Sequence, residues 1–209
     1  MGRFSISLIF ISLFYFLMTN QVAEAADVPG GLIRNAEGMP SKTFEVVLSP
    51  GFIIDPGGAY LGSEVRYQAG EDVGLAFGFG SGEIGFNFGA NGTWYILPDI
   101  AGQPALSILG GLYFNRVVAN NYFVLRFTPT ISKSYKVDEA KLTPYAGVNL
   151  SPSFRLGSAQ NEFSVKTSTG IEVAASALNG INLWAEVGIG IFQSYNELVF
   201  GLSYPFKSI

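Results

Sequence analysis

The stretch 84–96, IGFNFGANGTWYI, places Ile84, Phe86, Phe88, Ala90, Trp94 and Ile96 on one parity and Gly85, Asn87, Gly89, Asn91, Thr93 and Tyr95 on the other. Successive side chains of a strand point to opposite faces, so this segment reads as a strand with one large apolar face and one small or polar face. A soluble sandwich also alternates, with its apolar face turned inward. The small face separates the two cases. Beside Val73, Leu75, Phe77 and Phe79 lie Gly74, Ala76, Gly78 and Gly80; glycine weakens a strand and offers water no side chain, so such a face suits a crowded interior better than a solvated surface. Segments of about 10 alternating residues, separated by turns and flanked by aromatic girdles, are what a transmembrane barrel requires.

Working outward, the pattern recurs about ten times between Phe44 and Phe206. Strands are expected over 43–53, 59–68, 73–80, 84–96, 105–115, 122–135, 142–154, 162–173, 181–191 and 197–206. The turns between them include Asp55-Pro56-Gly57-Gly58, Ser81-Gly82 and Pro98-Asp99, whose residues supply turn geometry. The expected fold is all-β: a single antiparallel up-and-down transmembrane β-barrel of about ten strands, or eight if two short segments merge. An even count lets the sheet close on itself with both chain ends on one side. Pro50, Pro129, Pro144 and Pro152 fall inside these strands. Each removes a ladder donor, and bulges are expected there.

The N-terminus carries Arg3, an apolar run from Phe4 to Met18, and Ala23-Glu24-Ala25 before Ala26. This is the layout of a secretory signal peptide over 1–25, cut after Ala25. The run is short for a transmembrane anchor. Removing 25 residues from 209 leaves 184, enough for one domain. Residues 26–41, with Pro29-Gly30-Gly31 and Gly38-Met39-Pro40, lack a sustained period and read as an irregular lead, either a tail or a lumen plug; the barrel is assigned to 42–209.

Seven charged residues of the assigned strands fall on the inward parity: Glu45, Glu64, Arg66, Arg126, Lys166, Glu172 and Glu186. A lipid-facing Arg or Lys near the bilayer centre costs about 2–4 kcal/mol, which drives charge into the lumen. There the charges either pair and rigidify a narrow interior or line a water path and set ion preference. Glu45 and Arg66 fall on adjacent strands and form an expected pair. Tyr60, Tyr67, Trp94, Tyr95, Tyr113, Tyr122, Tyr135 and Tyr204 lie toward strand ends, where amphipathic rings suit a headgroup region.

The chain has no histidine and no cysteine. That removes Ser-His-Asp chemistry, thiol nucleophiles and ordinary zinc sites, so no catalytic, cofactor or metal site is assigned and the protein is expected not to be an enzyme. A net charge of −4 argues against nucleic acid as a partner.

The last strand, L-V-F-G-L-S-Y-P-F, puts Leu198, Phe200, Leu202, Tyr204 and Phe206 on one parity. It resembles the closing strand of bacterial outer-membrane β-barrels of the small OmpA or OmpW type. The resemblance implies that Phe200, Leu202, Tyr204 and Phe206 form a signal read by the barrel-assembly machinery, and that outer-membrane lipids are the other partner. Lys207, Ser208 and Ile209 follow Phe206, whereas those barrels usually end on the aromatic itself. The expected function is that of a small outer-membrane barrel, either structural or a narrow pore for ions and small solutes. The alternative is a soluble periplasmic lipid-binding barrel, which would turn Phe86, Phe88, Phe123, Phe127, Leu202 and Phe206 inward.

Overall fold

The computed structural model describes residues 35–55, 57–159 and 161–207. The expected signal segment, residues 26–34 of the lead, Pro56 of the first turn, and Ser208 and Ile209 lie outside them. The strands are β1 (Thr43–Asp55), β2 (Gly58–Gln68), β3 (Val73–Gly82), β4 (Gly85–Leu97), β5 (Ala105–Val117), β6 (Asn120–Ser132), β7 (Tyr135–Val137), β8 (Ala140–Arg155), β9 (Asn161–Ala175), β10 (Asn182–Phe192) and β11 (Asn196–Lys207). Neighbours in sequence pair antiparallel, β1 pairs β11, and β6 pairs β8, closing the sheet. Ser132 faces Tyr145 and Tyr135 faces Leu142, one register across the break at Lys133 and Ser134. β7 is therefore the end of the β6 stave, and the barrel has ten staves.

The register fixes the barrel's dimensions. Stepping from partner to partner, Asn182 leads through Ser203, Val47, Glu64, Gly78, Gly89, Tyr113, Val124 and Ser153 to Glu162. The β9/β10 register, in which Lys166 faces Gly190, places Glu162 opposite position 194, twelve residues beyond the start. Ten staves with a shear of twelve tilt by about 40° and enclose a cylinder of about 10 Å radius at a strand spacing of about 4.8 Å. Such an interior is close to what side chains alone can fill.

The two parities separate as the alternation requires. Outward positions such as Phe77, Phe88, Leu125, Phe127, Phe200 and Leu202 are exposed, whereas Glu45, Ser49, Asn115, Thr130, Ser151 and Ser203 are buried. Among the described strands the charged residues of outward position, Arg116 in β5 and Asp55 past the β1 register shift, both lie beside strand ends. An outer wall this apolar is a surface for lipid. The inward turn of the aromatic face that a soluble lipid-binding barrel needs is the reverse of what is found.

Three expectations are corrected. The in-strand prolines force no bulges; register shifts fall at Ile53/Asp55, Tyr95/Leu97 and Gly190/Phe192 instead. Proline's fixed φ is compatible with extended backbone, and pairing on the far side, as at Pro50↔Leu61 and Pro144↔Ile171, holds the register while single rungs are lost. Ile84 does not face lipid. It lies in the β3–β4 turn and packs on an interior cluster of Val47, Ile53, Tyr60, Trp184, Tyr195 and Val199. The sixth segment does not run unbroken to Tyr135 but stops at Ser132.

Both described chain ends lie at one rim, called here the terminal end. The strands there are joined by 69–72, 98–104, 138–139 and 176–181, whereas the opposite, far end carries two-residue turns at 83–84 and 118–119.

Candidate functional site

The lumen is the site, and it has three levels. At the middle level the inward parity brings together Lys166, Glu186 and Glu197 from β9, β10 and β11. Lys166 Nζ donates to Glu197 Oε1 at 2.6 Å, with both side chains 1% exposed. Glu186 lies within electrostatic reach of both, and Tyr145 Oη donates to its Oε2 at 3.2 Å. Tyr60 Oη donates to Glu197 Oε2 at 3.4 Å. On the other side of the lumen the Arg126 guanidinium sits 4.9 Å from the centre of the Tyr113 ring, and Asn91 Nδ2 donates to Tyr113 Oη at 3.0 Å. Buried charges demand such partners, because an uncompensated ion in a dry interior is costly.

Toward the far end the interior is packed. One cluster fills one side, rising from Val47 and Trp184 near the terminal level through Val199 to Tyr60, Tyr195 and Ile53 at the far end, and Tyr113, Val117, Tyr122 and Val124 fill the other. Inward glycines seat these rings. A Cβ at Gly201 would lie 2.0 Å from Cζ2 of Trp184, and one at Gly170 would lie 2.5 Å from the Tyr145 ring. The small face read from the sequence is thus the negative of the aromatic side chains opposite.

Toward the terminal end a cavity of about 230 Å³ remains, lined in part by Glu45, Arg66, Gln68, Asn91, Thr130 and Glu172. Arg66 pairs with Glu64 and, at 3.8 Å, with Glu45, its register partner. Residues 35–40 lie across this cavity. Asn35 Nδ2 donates to Glu172 Oε2 at 2.8 Å, Ala36 N to Ser132 Oγ at 2.9 Å, and Met39 N to Gln68 Oε1 at 3.3 Å. The Glu37 carboxylate accepts from Ser134 Oγ at 2.6 Å and pairs with Lys141. Of the two dispositions open to the lead, these residues adopt that of a plug. Beside them, at the rim, Asp99 accepts from Lys133 and from the Ser134 N–H. Partial desolvation raises its pKa, but these bonds outweigh it and hold the carboxyl below the ordinary aspartate range.

All seven residues assigned to the lumen project inward, in two groups: Glu45, Arg66 and Glu172 border the terminal cavity, with Glu64 paired to Arg66 behind them, while Arg126, Lys166 and Glu186 belong to the middle level. Glu197 was not among them, although it shares their parity. It is the first residue of the expected strand 197–206, beside the turn, and its pairing with Lys166 shows that it belongs to the lumen. Lys141, the anchor of Glu37, was also missed; its signal was parity in β8. Phe200, Leu202, Tyr204 and Phe206 of β11 stand exposed on the outer wall. Among the described residues no group of acidic side chains is placed to hold a metal ion.

No family model and no curated protein matches the chain. Solved structures do. The β-domain of the Bordetella autotransporter BrkA is similar at 12% identity, covering 78% of this chain and 98% of that one, with a TM-score of 0.48. The N-terminal β-barrel domain of Pseudomonas aeruginosa OprF is similar at 12% identity over 80% and 100%, with a TM-score of 0.40. A de novo designed transmembrane β-barrel is similar at 14% identity over 80% and 98%, with a TM-score of 0.42. What the chain shares with them is the closed antiparallel β-barrel.

Proposed function

We propose that this chain is exported by its signal segment and acts in the outer membrane as a structural β-barrel whose lumen is closed to axial flow. The observation that carries the reading is the packed interior, where buried Tyr60, Trp184, Tyr195, Tyr113 and Tyr122 occupy the lumen of a ten-stave barrel. The paired middle charges and the plug formed by residues 35–40 support it. In this reading the protein catalyses no reaction, surrounding lipids cover its wall, and the assembly machinery reads Phe200, Leu202, Tyr204 and Phe206 during insertion.

The test is electrical. The mature chain, purified and inserted into planar bilayers, is expected to show no conductance steps. Small discrete steps whose ion preference changes on neutralising Arg126 and Lys166 would favour the narrow-pore reading instead, and porin-sized conductance would overturn both. Location is tested separately: the protein is expected to stay with the outer-membrane pellet after carbonate washing.

A further inference from the structure

The β6/β8 seam is built differently from the other seams of the barrel. The Lys133 N–H donates to the Pro144 carbonyl and the Leu156 N–H to the Asn121 carbonyl, so odd-numbered β6 positions and even-numbered β8 positions turn their backbone polar groups toward each other. Pro129 is odd in β6, and Pro144 and Pro152 are even in β8. All three proline nitrogens therefore face this one seam. Of its five hydrogen-bonding pairs from Leu125↔Pro152 to Lys133↔Pro144, three carry a proline and lose one bond each. The ladder has gaps beside Pro152 and Pro129, while the β5/β6 and β8/β9 ladders on either side run unbroken.

A groove of about 450 Å³ opens in the outer wall at the same place. Its flanks are outward side chains of the lipid face: Leu106, Ile131, Val148, Val187 and Ile189. Ala146, Thr167 and Thr169 are small where the aromatic side of the wall carries Phe77, Phe88, Phe123 and Phe127. Its floor is the main chain of Thr130, Gly147 and Ser168, whose side chains have inward parity, left uncovered between those small residues. Thr130 lines the terminal cavity as well. The recess thus reaches down to the sheet backbone at the seam where the ladder is thinnest.

We propose that this groove is a binding site for one acyl chain of a membrane lipid, seated within the wall instead of lying against it. The proposal rests on the transmembrane reading. Shape selects the occupant. A second barrel is a convex cylinder of about 10 Å radius and meets this wall along a line, whereas a single alkyl chain can enter a groove of about 450 Å³. Chemistry agrees, since apolar flanks with the outward Thr167 and Thr169 among them are the lining of a site that buries an apolar ligand.

The mature chain, folded into phosphatidylethanolamine vesicles doped with phosphatidylethanolamine bearing a diazirine midway along one acyl chain, provides the test. After irradiation, peptides carrying Ile131, Ala146–Val148 and Thr167–Thr169 are expected to be labelled several-fold above peptides of the β2/β3 wall. Attachment at Thr130 or Ser168 is also expected, which a chain lying flat on the wall cannot give. Ala146→Phe, an apolar change that fills the groove, should lower that labelling at least fivefold, whereas Val65→Phe on the opposite wall should not. Strand content and the heat-shift on gels show that both variants fold. Even labelling round the wall, labelling unmoved by Ala146→Phe, or crosslinks between two copies at this face would overturn the proposal. Absence of label from every outward position would instead overturn the membrane reading itself, and the site with it.

Discussion

Replacing Lys166 by methionine asks whether water reaches the middle of the lumen. At the 2.6 Å separation from Glu197, an effective dielectric of about 20 gives an attraction of about 6 kcal/mol. Dehydrating the two ions costs several kcal/mol each, so the intact pair contributes little net stability. Losing one partner is different, because Glu197 then stays buried beside Glu186 without its cation. The expected cost of Lys166→Met is about 3–5 kcal/mol. Lys166→Met with Glu197→Gln should recover at least about 2 kcal/mol of that, since the stranded carboxylate is gone and the residues couple. Both are read by reversible urea unfolding from lipid vesicles, with Trp94 and Trp184 as reporters of outer wall and lumen. A single-variant cost below about 1 kcal/mol is the value of a hydrated surface pair; it would refute the dry middle level and favour a water-filled path.

Leu125→Arg, at an exposed outward position of β6, should cost about 2–4 kcal/mol on insertion into bilayers, measured by the folded fraction on unheated gels; no loss would mean that this face does not meet lipid. Gly201→Ala drives a Cβ into the Trp184 indole and should cost about 1–3 kcal/mol, with a shifted Trp184 emission; an unchanged spectrum and stability would show that the lumen has slack. Because Asp99 is depressed in the folded protein, its contact with Lys133 and Ser134 stabilises fully above the unfolded aspartate value of about 3.9 and fades as pH falls through the lower folded one. Exchange of the Ser134 amide should accelerate only below pH of about 4 and lose this dependence in Asp99→Asn; acceleration at higher pH would contradict the assignment.

How much of this was legible in the sequence follows from which interactions have a period. Lipid outside and a crowded lumen inside impose an alternation of two on every stave, so parity alone located Glu45, Arg126, Lys166 and the exposed Phe200 and Leu202. It placed Glu45 beside Arg66 because neighbouring staves are also neighbours in sequence. Contacts without a period were not legible. Residues 35–40 lie across the lumen through single hydrogen bonds to Glu172, Ser132 and Gln68, and nothing in Gly38-Met39-Pro40 distinguishes a plug from a tail. Ile84 has the right parity for the wall, yet the turn preceding Gly85 redirects it into the interior cluster. The prolines show the same limit. Counted along the chain they are four separate ladder defects; the direction in which each nitrogen points depends on which parity of β6 and of β8 turns its backbone toward their shared seam, which the pairing register sets. Three defects that look scattered in sequence fall on one seam only once the register of that seam is known, and their coincidence with a recess in the wall gives them a function to test.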